Sequence, residues 1–139
     1  MKIFIILSIV LVLVQSTPKV FDISGDESVS VGHNSHFELK FDSNPTTGYD
    51  WYLINHSDVK DNGILRATNI NEHGGGKFVR NSVPEGMVGV GGHTIFSFKA
   101  LGENESEILE FSHYRPWEPI STAVQNATVE VKIGQSNVN

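Results

Sequence analysis

The feature that most constrains this chain is a set of short runs in which apolar and polar residues alternate. Phe37, Leu39 and Phe41 point one way while His36, Glu38 and Lys40 point the other. Val129, Val131 and Ile133 stand in the same relation to Thr128, Glu130 and Lys132. A period of two marks a strand with one dry face and one wet face. Residues 94–101 and 107–114 are more mixed, as in strands nearer the centre of a sandwich. Residues 49–53 and 64–68 read as further strands, and residues 77–80 as a weaker one reached through Gly74-Gly75-Gly76. Gly, Asn, Asp and Pro punctuate these runs. Gly102-Glu103-Asn104 reads as a hairpin connection. No window carries a long helical stripe, so the pattern predicts an all-β sandwich or barrel.

A chain of 139 residues suits one domain with one core. It contains no cysteine, so that core must hold without disulfides, and thiolate chemistry is excluded. The formal net charge is −6 and no cluster of Lys or Arg is present, which argues against a nucleic-acid partner. The N-terminus reads as a separate piece. Lys2 precedes an apolar run over residues 3–14, followed by Gln15, Ser16 and Thr17. This is the form of a secretory signal peptide over residues 1–16, cleaved after Ser16, with the mature domain over residues 17–139. The run is shorter than the roughly 20 residues that span a bilayer, so no membrane association is expected once it is removed. Asn55, Asn104 and Asn126 each open an Asn-x-Ser/Thr sequon and are candidate glycosylation sites. The expected location is the secretory pathway, ending outside the cell or in a lysosome- or vacuole-like acidic vesicle.

No catalytic site is legible. A Gly-x-Ser-x-Gly elbow is absent, and the six histidines (His33, His36, His56, His73, His93 and His113) form no His-Glu-x-x-His motif. They read as surface or satisfied side chains, and no metal or cofactor is expected. Gly89-Val90-Gly91-Gly92 lacks the Lys-Ser/Thr ending of a phosphate loop. Gly74-Gly75-Gly76 reads as a flexible tip.

Three connections nevertheless carry unusual residues. Asn44-Pro45-Thr46-Thr47-Gly48-Tyr49, followed by Trp51, is a stiff uncharged tip: Pro45 fixes its φ, and Gly48 is free to take a positive φ. Residues 83–92 form a long loop in which Gly89, Gly91 and Gly92 would permit close approach of another backbone, with a positive φ expected at Gly91. Arg115-Pro116-Trp117 presents an Arg and a Trp, both enriched at binding hot spots, on a turn stiffened by Pro116. Alternate connections of a Greek-key sandwich gather at one end, so the three loops should share one surface.

These three motifs, together with Glu118 after Trp117, resemble the chagasin family of cysteine-protease inhibitors in residues and in order, over essentially the whole mature chain. The resemblance implies an immunoglobulin-like β-sandwich of Greek-key topology that blocks the active-site cleft of papain-like, cathepsin-type cysteine proteases as a monomer in 1:1 complexes. It further implies that Thr46 and Thr47 sit closest to the enzyme's catalytic Cys and His. The loop containing Gly89, Val90, Gly91 and Gly92 would lie along the non-primed side. Arg115 and Trp117 would hold the primed side. The alternative reading is a generic secreted immunoglobulin-like binding or adhesion module, which shares the fold and gives no reason for the three loops.

Overall fold

The computed structural model describes residues 17–82, 86 and 91–135. Their strands, in chain order, are β1 (Lys19–Ile23), β2 (Glu27–Val31), β3 (His36–Ser43), β4 (Asp50–Leu53), β5 (Leu65–Ala67), β6 (Lys77–Arg80), β7 (Gly92–Ala100), β8 (Glu105–Tyr114) and β9 (Gln125–Ile133). One helix, α1 (His56–Asn62), lies between β4 and β5. The strands form two sheets. In the first, β1, β3 and β7 are neighbours, and both β5 and β6 pair with the remaining edge of β7. The second runs β2-β9-β8-β4. The chain is therefore an all-β sandwich, as the alternation predicts.

The alternating residues supply the core. Phe37, Leu39, Phe41, Phe96, Phe98 and Ala100 face inward from the first sheet. Leu109, Phe111, Ala127, Val129, Val131 and Ile133 face them from the second. Burial along β7 alternates without a break, so this central strand is as regular as the outer ones. Aromatic rings hold the middle: Phe37 stacks on Phe98 at 5.4 Å, and Phe96 lies 4.8 Å from Phe111 across the two sheets. Ring contacts of this kind add to area burial, so a dense aromatic core can take the place of disulfides.

Four expectations are corrected or extended. Gly102-Glu103-Asn104 is not a hairpin, because β7 and β8 belong to different sheets. Leu101 and Gly102 donate their N–H groups to Ile64 O, and Asn104 adopts φ 52°, turning the chain across the sandwich. Gly74-Gly75-Gly76 is not a flexible tip. Gly74 and Gly75 are buried, Leu53 N donates to Gly74 O at 2.8 Å, and Tyr52 bridges to Gly75. A Cβ on Gly74 would collide with Leu53 O, and one on Gly76 would fall 2.6 Å from Ile95 O. The glycines therefore form a seam between the open edge of β4 and the other sheet, where backbones meet too closely for side chains.

The edge strands β1 and β2, which pair in parallel with β3 and β9, extend the sequence reading. So does α1, which follows β4. Asn55, at the head of α1, donates Nδ2–H to Ile108 O at 2.8 Å and accepts from Glu110 N at 3.0 Å. Its side chain thus mimics a strand backbone. At the other end of α1, Asn62 Nδ2 donates to the buried Glu107 carboxylate at 3.0 Å.

Candidate binding surface

The loop over residues 44–49 crosses between the sheets and folds into a single 3-10 turn, Pro45–Thr47. Pro45 stands at its start, where no N–H is needed. Asn44 organises the turn from outside: Thr46 Oγ1 donates to Asn44 Oδ1 at 2.7 Å, and Thr47 Oγ1 donates to Asn44 O at 3.0 Å. Gly48 closes it at φ 83°, with its N–H donated to Pro45 O. Both threonines are exposed at the tip, with their hydroxyl protons committed to the turn.

The loop over residues 115–124 leans on this turn. Arg115 Nε donates to Thr47 O at 3.1 Å, its guanidinium lies 4.3 Å from the centre of the Tyr49 ring, and Nη1 pairs with Glu118 at 3.2 Å. The Trp117 indole covers Gly48, since a Cβ there would fall onto the six-membered ring. Even so, Trp117 remains 69% exposed, so it is not a core aromatic. Pro116 is exposed beside it. Arg115 is thus a strut between two loops more than a free basic group.

On the opposite flank Gly91 approaches the first loop, its Cβ position lying 3.2 Å from Ser43 O. Asn81 N donates to Gly91 O at 3.1 Å, continuing the ladder between β6 and β7. Gly91 does not take the expected positive φ; close approach is its constraint. A Cβ on Gly92 would strike Val79 O and the Phe78 ring, so this glycine is required by packing inside its own sheet. Gly89 and Val90 lie outside the described residues, as do positions 83–85, 87 and 88. The first and third connections therefore meet at one end of the sandwich, with Gly91, the last residue before β7, beside the first of them.

Beneath the turn lies a group that sequence reasoning missed. Asp50 Oδ1 accepts from Thr94 Oγ1 at 2.6 Å, Trp51 N at 2.8 Å and Ser43 Oγ at 3.2 Å. One carboxylate ties β3, β4 and β7 together under the loops. Trp51 is buried, donates Nε1–H to Asp42 O at 3.0 Å, and stacks on His113 at 4.8 Å with the planes 7° apart. The reading of all six histidines as surface or satisfied fails at His113, whose Nε2 is buried with no partner among the described residues. Burial pushes the His113 pKa down, opposed by the Asp50 carboxylate and the Tyr49 backbone. The signal for Asp50 is its place directly after Gly48-Tyr49. Its three donors come from positions 43, 51 and 94, so the role is invisible locally. Among the described residues no group of three His, Asp or Glu side chains converges as a metal site would require.

Comparison with known proteins places this geometry. No curated protein sequence matches the chain significantly. Solved structures do. The cysteine protease inhibitor EhICP2 from Entamoeba histolytica is similar at 19% identity and a TM-score of 0.61, over 83% of this chain and 94% of that one. The Leishmania mexicana inhibitor ICP is similar at 25% identity and a TM-score of 0.53, over 80% and 90%. PbICP-C, in complex with falcipain-2, is similar at 16% identity and a TM-score of 0.51, over 83% and 98%. The profile of the chagasin family of peptidase inhibitors, I42, matches residues 29–133, which include all three loops. The chain belongs to the chagasin family of peptidase inhibitors.

Proposed function

We propose that this protein inhibits papain-like cysteine proteases by seating the three-loop end in the active-site cleft as a 1:1 complex. The observation that carries the reading is the mutual bracing of the first and third loops, with Trp117 left 69% exposed. Loops held by internal hydrogen bonds lose little entropy on docking, which favours tight reversible binding. An interface of standard size, about 1,600 Å², reaches nanomolar affinity or better when its anchors are good. The similar PbICP-C structure, solved in complex with falcipain-2, supports the same class of partner here.

Within the cleft, Thr46 and Thr47 stand nearest the catalytic Cys and His. The loop that includes Gly89 to Gly92 lies to one side, and Trp117 lies to the other. The chain resists cleavage because residues 45–47 form a 3-10 turn, not an extended segment. The Pro45 and Thr47 carbonyls are engaged internally, by the N–H of Gly48 and the Arg115 side chain. Attack requires reacting atoms aligned within about 3–3.5 Å, and a braced turn opposes that alignment. Titration of papain with the protein tests the function: activity should fall linearly to an end point at one equivalent. Undiminished activity at a tenfold excess refutes it.

The proposed route to such proteases is the secretory pathway, with residues 1–16 removed as a signal peptide, leading outside the cell or to an acidic vesicle. N-terminal sequencing of cellular protein should give Thr17 as the first residue; Met1 would refute this. Of the glycosylation candidates, Asn104 is exposed and adjoins the end of β8 distant from the loops, by about 30 Å along the strand. Asn126 is exposed and its Nδ2 has no partner among the described residues, while Oδ1 accepts from Ser112 Oγ. Asn55 is the poorest acceptor, because its Nδ2 is committed to Ile108 O.

A further inference from the structure

The loop over residues 115–124 is longer than the Arg115-Pro116-Trp117 turn needs, and its remainder is built to an unusual rule. Several of its polar groups are satisfied within the loop, although Ser121 and Thr122 are exposed. Glu118 N donates to Arg115 O, and Thr122 N and Ala123 N donate to Pro119 O and Ile120 O. Thr122 Oγ1 donates to Pro119 O at 2.6 Å, and Val124 N donates to His113 O at 2.9 Å. The loop's two charges, Arg115 and Glu118, neutralise each other at 3.2 Å. The side chains left outward are largely apolar: Trp117 is 69% exposed, Val124 61% and Ile120 46%. Three of the seven large exposed apolar side chains among the described residues therefore sit on this one ten-residue loop. Exposed apolar side chains scattered singly need no explanation, whereas a concentration of them on a fixed loop marks an interaction surface.

We propose that Ile120 and Val124 extend the protease-binding surface beyond Trp117, and that they meet an apolar strip on the enzyme outside the recess that takes the indole. This rests on the inhibitory reading above and deepens it. The occupant follows from continuity. The same loop carries Trp117, and its return strand β9 starts at Gln125, one residue past Val124. An enzyme that contacts Trp117 thus meets the loop that carries both residues. The chemistry it must offer is apolar and uncharged, since no unpaired charge on this loop faces outward. Ile120 and Val124 would thus be residues by which the inhibitor distinguishes among proteases that share one catalytic centre and differ at its margin.

The test compares inhibition constants for the parent, Ile120→Ser, Val124→Ser, the double variant and Ile120→Leu against one papain-like protease. Melting temperature and sedimentation of each protein alone accompany them. Removing a half-exposed aliphatic side chain from a buried contact should weaken inhibition about fivefold for each single change and about tenfold or more for the pair. Melting temperature and monomeric state should not change, and Ile120→Leu should retain inhibition. A parent that inhibits while the double variant inhibits within twofold of it overturns the proposal and leaves the inhibitory reading intact. A parent that self-associates until the double variant abolishes it, with inhibition unchanged, overturns it in favour of a second copy of the chain. A parent that does not inhibit removes both readings.

Discussion

Replacing Gly48 with Ala probes the joint between the first and third loops. Gly48 sits at φ 83°, and a Cβ there would strike the Trp117 indole. Two costs follow, and they separate. Holding a non-glycine residue in the left-handed region costs about 1–2 kcal/mol in stability, or roughly 4–10 °C in melting temperature for a domain of this size. Displacing the indole moves the proposed main anchor, and misplacing a hot-spot aromatic weakens binding by up to about thirtyfold. A double-mutant cycle distinguishes the two. In a Trp117→Ala background the steric conflict is gone, so Gly48→Ala should still lower the melting temperature and should leave the inhibition constant within about twofold. The assays are thermal melts and inhibition of a papain-like protease for the parent, both single variants and the double variant. If Gly48→Ala weakens inhibition equally with and without Trp117, the indole does not transmit the effect and the account of the joint is wrong.

Two further predictions follow from the same structure. Gly74→Ala places a Cβ against Leu53 O at φ 84°, so it should destabilise the fold by about 2 kcal/mol or more while the folded fraction inhibits normally; a melt identical to the parent would show that the seam is loose. His113 has a folded pKa below its unfolded value of about 6.5, so its contribution to stability is complete above that value and is lost as pH falls through the folded pKa. The melting temperature should thus drop between pH 7.5 and pH 5 more steeply in the parent than in His113→Phe, whose ring can keep the stack on Trp51; equal slopes would exclude His113 as the titrating group.

How much of this was legible beforehand depended on whether the cause was local. The inward sets Phe37, Leu39, Phe41 and Val129, Val131, Ile133 carry their own periodicity, so their strands and faces could be read directly. β1 and β2 could not. They are five-residue edge strands, and parallel pairing with β3 and β9 holds them, a non-local cause. α1 buries only Val59, too little for a helical stripe. Gly74-Gly75-Gly76 has the composition of a flexible tip, and the opposing backbones of Leu53 and Ile95, with hydrogen bonds to Asn71, hold it in place. Gly102-Glu103-Asn104 suits a hairpin or a cross-sheet turn equally well, and the sheet assignment of β7 and β8 decides between them. At the binding end, the first and third motifs announced themselves by residue type. Their coupling through Arg115 to Thr47 and Tyr49, and the Asp50 junction below, join residues up to 68 positions apart.

The central claim is that the three-loop end is the inhibitory surface and that Trp117 is its largest anchor. The most direct measurement is the inhibition constant of Trp117→Ala against a papain-like protease, set beside Thr47→Ala and the melting temperature of each. Trp117 is 69% exposed, so its truncation should leave the melt within about 2 °C of the parent while weakening inhibition at least about thirtyfold. Thr47→Ala removes a hydroxyl that braces the turn through Asn44 O and should weaken inhibition by less, about fivefold. Parent-like inhibition by Trp117→Ala at an unchanged melting temperature would contradict the claim.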